Sequence, residues 1–184
     1  MARAALILVA ALAAAMSIVG GEACNQRDLM KWNEACLMAA GNTVELYNLC
    51  QEMLQHAPDA AEMSEYARLA ARFTNRSYSG TVAAAQRLLA GGSIPAGQRP
   101  AYRHCVERYS TASAQMASVM AELASCDYGR LKQRYIDAKA AMESCGRELA
   151  AGTPLAAMNA ADKAAAPLLF ADRDMTGARR RRLK

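Results

Sequence analysis

Two stretches near the centre of the chain carry apolar residues at alternating spacings of four and three, the pattern of helices packed along a seam. The first is Cys105, Tyr109, Ala112, Met116, Val119 and Leu123, and the second is Leu131, Tyr135, Ala138, Met142, Cys145 and Leu149. Pro100 suits a helix start, and Ser125, Cys126 and Asp127 offer a short turn with Asp127 as N-cap of the second helix. Folding this αα-hairpin about residue 125 pairs positions whose numbers sum to about 250, which sets Cys105 against Cys145, Ala112 against Ala138 and Val119 against Leu131. The spacing alone therefore proposes a Cys105–Cys145 disulfide. Packed helices usually run about 8–10 Å apart, whereas a disulfide wants Cα atoms about 5.5–6 Å apart, so the alanines must let these helices approach closely.

The same reflection works upstream. Gly41, Asn42 and Thr43 form a turn between helices over 28–40 and 44–55, and Cys36 then falls opposite Cys50. So small a hairpin has little apolar surface of its own and leans on its disulfide. Cys24 and Cys126 remain: they pair with each other, or Cys126 is a buried free thiol, since six cysteines allow 15 connectivities. Residues 58–89 read as a helix with Met63, Tyr66, Ala70, Phe73, Ser77, Gly80, Ala84 and Leu88 on one stripe, weakened by Gly80. A Gly/Pro/Ser loop over 91–97 follows. A last helix starts near Thr153 and Pro154, carries Leu155, Met158, Ala161 and Ala165, and is expected to bend or end at Pro167. The expected fold is all-α: an N-terminal helical hairpin plus an antiparallel up-down four-helix bundle, stapled by disulfides. Few aromatic and β-branched residues argue against a β-sandwich or barrel.

Charge and the amino terminus bound the function. The net charge is +5, but residues 24–178 hold 16 basic and 16 acidic side chains, and the excess sits in Arg179, Arg180, Arg181, Arg182 and Lys184. A charge-balanced body does not call for nucleic acid. Arg3 followed by the apolar run from Ala4 to Val19 and the small residues Gly20, Gly21 and Ala23 reads as a secretory signal peptide. The run falls short of the roughly 20 residues that span a bilayer, so no membrane association is expected after cleavage. The expected division is a signal peptide at 1–23, a helical domain at 24–170 and a basic, disordered tail at 171–184, in an oxidising, extracellular compartment.

No phosphate loop, paired-histidine motif or nucleophile elbow is present in the sequence. His56 and His104 stand at expected element boundaries without an evident partner, Glu122 and Glu143 fall on expected exposed faces, and Met116, Met120 and Met142 read as core filler. No catalytic, cofactor-binding or metal-ligating residue is assigned, and an enzyme is not expected. Asn75-Arg76-Ser77 is a glycosylation sequon, usable on an exported chain if exposed.

Several segments together resemble the plant invertase and pectin methylesterase inhibitors. They are Ala35-Cys36 with Ala39-Ala40-Gly41, Leu49-Cys50 with Leu54, and Cys105-Val106-Glu107-Arg108-Tyr109 with Ala112. Asp127-Tyr128, Ala138, Ala141, Ser144-Cys145 and Asn159 continue the match, which covers roughly residues 30–165. The resemblance implies pairing of Cys36 with Cys50 and of Cys105 with Cys145, in agreement with the reflections. It also implies a secreted protein of the apoplast, or of the vacuole, that blocks the substrate cleft of a carbohydrate-active enzyme without chemistry of its own. The chain lacks a Pro-Lys-Phe segment of the kind associated with invertase inhibitors, which favours pectin methylesterase over acid invertase as target. Anionic pectin is a further expected contact for the basic tail. A non-inhibitory binding protein on the same scaffold is the competing expectation; a disulfide-rich lipid carrier would show adjacent cysteines, which this chain does not have.

Overall fold

The computed structural model describes residues 29–182, with side chains described through Leu168. Six helices account for nearly all of it: α1 (Trp32–Ala40), α2 (Val44–Leu54), α3 (Met63–Ala90), α4 (Arg99–Ala124), α5 (Leu131–Glu148) and α6 (Pro154–Arg182). A two-residue antiparallel ladder joins β1 (Met30–Lys31) to β2 (Ala60–Ala61), with Met30 opposite Ala61. The first two helices form a hairpin and the last four an antiparallel bundle, so the chain is all-α as its periodicity implies.

The α4/α5 seam is where the heptad pattern acts most directly. Cys105, Tyr109, Ala112, Met116, Val119 and Leu123 are all buried, as are Leu131, Tyr135, Ala138, Met142 and Cys145, while Leu149 is half-buried. Cys105 and Cys145 are joined with Cα atoms 4.5 Å apart, and Cys36 and Cys50 with Cα atoms 5.5 Å apart. The close approach at Cys105 is possible because Ala112, Ala138 and Ala141 keep the seam thin. Helix α4 ends in a pair of reverse bonds: Cys126 N–H donates to the Leu123 carbonyl and Asp127 N–H to the Glu122 carbonyl. This is a Schellman turn, and its left-handed position is held by Cys126 at φ 59° rather than by glycine. Asp127 does not cap α5; its carboxylate accepts the Gly129 N–H at 3.1 Å, one turn before the helix begins at Leu131. Cys126 is disulfide-bonded, which removes the free-thiol alternative; Cys24 and its pairing lie outside the described residues.

Other elements depart from the sequence reading. Helix α1 starts at Trp32 because residues 30 and 31 are extended in the ladder, and α3 starts at Met63 because residues 60 and 61 are its partners. Gly80 does not interrupt α3, whose tertiary packing outweighs the cost of about 1 kcal/mol that one glycine imposes. Pro167 lies inside α6, which continues to Arg182 where an end or bend at Pro167 and a disordered tail from 171 are the expectation. Only one backbone bond is lost at an exposed proline, and the alanine, leucine, methionine and arginine that follow are strong helix formers.

Two clusters of buried side chains fill the molecule. The larger runs down the bundle axis around Tyr78, Tyr109, Met116, Met142 and Leu155. The smaller lies beneath the hairpin, where Ala35, Cys36, Cys50, Met53 and Leu54 meet Ala61, Tyr66 and Leu168. Tyr66 ties α3 to the ladder: its hydroxyl donates to the Met30 carbonyl at 2.9 Å and also meets that of Pro58 at 3.2 Å.

Candidate interaction surface

The interior of the bundle is polar at one level, and this feature escaped the sequence reading. Asp162 of α6, only 4% exposed, accepts the hydroxyl of Ser77 at 2.5 Å and that of Thr81 at 3.0 Å, both from α3. One turn earlier, the Asn159 amide donates to the Tyr109 hydroxyl of α4 at 3.0 Å and to the Met142 carbonyl of α5 at 2.9 Å. Tyr109 in turn packs edge-to-face on Tyr78 with ring centroids 5.5 Å apart. Burial, and then the Asp162 carboxylate, push both phenols well above the ordinary tyrosine range, so both stay neutral. The network touches all four bundle helices and is buried except at Ser77, which is exposed at its α3 edge, so it specifies packing rather than a reaction site.

The position of this network corrects two helical stripes. In α6 the positions buried against the bundle are Leu155, Asn159, Asp162 and Ala166 rather than Leu155, Met158, Ala161 and Ala165, with Leu168 buried under the hairpin. In α3 they include Ala67, Ala71, Thr74, Tyr78, Thr81 and Ala85, one residue on from the expected stripe, while Ala70, Phe73 and Met63 turn toward the hairpin. The detectable signal was the four-three spacing of Leu155, Asn159, Asp162 and Ala166, which matches that of the α4 seam.

His104 lies inside α4 rather than at its boundary, and it has partners. Its Nε2 meets the Ser144 hydroxyl at 3.1 Å and the Glu148 carboxylate at 3.3 Å, beside the Cys105–Cys145 disulfide. A serine, a histidine and a glutamate thus come together, but both oxygens contact the same ring nitrogen. A relay needs the carboxylate on one nitrogen and the nucleophile on the other; this group is a bridge between α4 and α5. His56 is exposed in the turn after α2. Among the described residues no group of three His, Cys, Asp or Glu could hold a metal ion, and no helix is long and apolar enough to cross a membrane.

Glu122 is a further correction: it is 8% exposed, not on a solvated face. Its Oε1 accepts from Arg134 Nε at 3.0 Å, and Arg134 continues to Gln115 at 3.1 Å, while Oε2 has no hydrogen-bond partner. Glu143 does lie toward solvent, 3.7 Å from Lys139. Asn75, half-buried on α3, accepts the Ser113 hydroxyl of α4 at 2.5 Å. The expected signal peptide at 1–23, the side chains of Arg179 to Arg182, and Lys184 lie outside what is described.

Among the described residues, two exposed surfaces are candidates for a partner. The outer face of α4 and α5 presents Arg103, Glu107, Ser110, Ala114 and Ala121 alongside Gln133, Ile136, Ala140 and Arg147, all exposed. Its backbone is fixed at one end by the Cys105–Cys145 disulfide and the His104 bridge, and at the other by the Schellman turn and the Glu122–Arg134–Gln115 chain. The hairpin instead exposes Leu37, Met38 and Val44, at 56%, 52% and 66%. It is attached through a two-residue ladder and the smaller buried cluster, which leaves a cavity of about 40 Å³ between Ala35, Met53, Met63, Tyr66 and Leu168.

No curated protein and no solved structure matches the chain. A family model described as plant invertase/pectin methylesterase inhibitor matches residues 21–168.

Proposed function

The chain belongs to the plant invertase/pectin methylesterase inhibitor family, and from that membership we propose that it is a secreted inhibitor of pectin methylesterase acting by stoichiometric occlusion of the substrate cleft. Members of the family are inhibitors of pectin methylesterase or invertase, not enzymes, and are generally extracellular. The observation that carries the reading is the family match over residues 21–168, which hold the hairpin, three bundle helices and the first half of α6. The missing Pro-Lys-Phe segment tilts the choice of target toward pectin methylesterase, with acid invertase as the second reading.

Occlusion asks for a surface that keeps its shape while excluding water, because each side chain or loop ordered on binding costs affinity. The outer α4/α5 face meets that need better than the hairpin. It is held at both ends, by a disulfide at one and by hydrogen bonds and an ion pair at the other, and its small residues let two helices lie close against a cleft wall. Its one large apolar side chain, Ile136, is 38% exposed. The hairpin patch is more apolar but rests on a less filled interface.

The experiment adds the purified mature chain to a plant pectin methylesterase and, separately, to an acid invertase. Loss of pectin methylesterase activity near one-to-one stoichiometry is expected; loss of invertase activity alone would transfer the reading to that target. Ile136→Arg should weaken inhibition by about tenfold or more, about 1.4 kcal/mol, whereas Leu37→Arg with Val44→Arg should leave it within about twofold. The reverse ranking would move the contact to the hairpin. Contact of Arg179, Arg180, Arg181, Arg182 and Lys184 with de-esterified pectin is a separate part of the proposal. Deleting residues 179–184 should then lower the salt needed to elute the chain from polygalacturonate, and unchanged elution would refute it.

A further inference from the structure

The sequon Asn75-Arg76-Ser77 lies mid-way along α3, and neither its helical setting nor its half-buried asparagine settles whether it can carry sugar. The hydrogen bonds are more informative. The side-chain oxygen of Asn75 is turned to the seam with α4, accepting the Ser113 hydroxyl at 2.5 Å. The amide nitrogen, the atom that a glycan would take, makes no hydrogen bond and is not fully buried. Around it the seam is lined by small hydroxyls: Ser79 donates to the Asn75 carbonyl at 2.9 Å and lies 3.3 Å from Ser113. An N-linked asparagine keeps its carbonyl oxygen and one N–H, so the Ser113 bond survives attachment of a sugar.

The third sequon residue, Ser77, sets the order of events. In the folded chain the Ser77 hydroxyl is committed to Asp162, 85 residues downstream, and Asn75 is committed to Ser113, 38 residues downstream. At a synthesis rate of about 5–20 residues per second, Asp162 follows Ser77 by roughly 4–17 s. Through that interval α6 does not exist and the sequon is free of its strongest folded contact.

We propose that Asn75 carries an N-linked oligosaccharide, attached during export before α3 and α6 pack, and that the folded α3/α4 seam accommodates it with the amide nitrogen outward. The proposal rests on the reading of the chain as exported. The donor is a lipid-linked oligosaccharyl diphosphate. Its C1–O bond breaks with the electron pair leaving on the diphosphate, a bond forms from C1 to Asn75 Nδ2, and that nitrogen gives up one proton. The sugar then shields the α3/α4 side of the bundle and leaves the outer α4/α5 face open.

The test translates the full chain in the presence of secretory microsomes, once with its own amino terminus and once with residues 24–184 behind a proven signal peptide. The expected product of the second form loses one oligosaccharide on treatment with an N-glycanase, leaving aspartate at position 75. Asn75→Gln abolishes the modification and Ser77→Thr, which keeps the hydroxyl, retains it. Ser113→Ala leaves it intact because attachment precedes the seam. Chain already folded before it meets the transferase should stay unmodified. Unmodified Asn75 in the translocated second form overturns the proposal. Modification of that form alone upholds it and refutes only export by the chain's own amino terminus.

Discussion

Replacing Gly146 with alanine sets two physical effects of opposite sign against each other. Alanine is better than glycine in a helix interior by about 1 kcal/mol, so propensity alone makes α5 more stable. The structure opposes this: a Cβ at position 146 would fall on the side-chain oxygen of Asn159, with Asn159 Cγ and Lys163 Nζ each 3.2 Å away. Lys163 ends in a flexible chain and can move. Asn159 is 3% exposed and held by its bonds to Tyr109 and Met142, so it can withdraw only by giving those up. Each buried polar group left unpaired costs about 1–3 kcal/mol, and the broken pair leaves a carbonyl and an amide to be satisfied. After the propensity gain is subtracted, Gly146→Ala should destabilise the chain by about 2–3 kcal/mol. For a chain of this size that is a fall of roughly 4–12 °C in melting temperature. Urea unfolding followed by circular dichroism, with the midpoint falling at constant slope, is the assay. In an Asn159→Ala background the clash is gone, so the same substitution should be neutral or stabilising by up to about 1 kcal/mol. A wild-type-background Gly146→Ala variant that is as stable as the parent would refute the claim that the α5/α6 approach depends on glycine.

Further outcomes follow from the staples and the buried phenols. Closure of 14- and 40-residue separations corresponds to about 3 and about 4 kcal/mol in the chain-entropy picture. Replacing Cys36 and Cys50 with alanine should nonetheless release the hairpin first, seen as fast amide exchange over α1 and α2 with the bundle still protected; uniform loss of protection would show one cooperative unit instead. Tyr78 and Tyr109 are held neutral by the fold, so above pH 10 the unfolded chain sheds more protons and stability falls with rising pH. The slope should approach about 1.4 kcal/mol per pH unit for each phenol, with nothing gained or lost from them below pH 9. Phenolate absorbance rising for all seven tyrosines near the ordinary value, with the fold intact, would contradict this.

The seam of α4 and α5 was legible because its core positions are apolar and its register is marked at one end by a cysteine on each helix. The same arithmetic aligned α1 with α2. Helices α3 and α6 were legible as elements but not in register. Their buried stripes carry Thr74, Thr81, Asn159 and Asp162; a reading that sorts positions by apolarity slides one residue, to Met158 and Ala161 in α6 and to Phe73 in α3, which faces the hairpin. Glu122 was misplaced for a related reason: a carboxylate at a core-edge position looks solvated until its arginine, 12 residues away on another helix, is in place. The ladder at residues 30–31 and 60–61 has no periodic signature because two residues show no period. Pro167 carried a strong local expectation that the surrounding helix formers outweigh. The interaction surface was not legible at all, since exposure of Ile136, Leu37 and Val44 depends on which faces the other helices cover.

The central claim is that this chain inhibits by filling a target's cleft and performs no chemistry. Its most direct test is a titration of pectin methylesterase, at enzyme concentration well above the expected dissociation constant, with the purified mature chain whose helical circular dichroism is intact. Occlusion predicts activity falling in a straight line to a break at one chain per enzyme, the chain being recovered unaltered. Full activity at a several-fold excess of folded chain would contradict it.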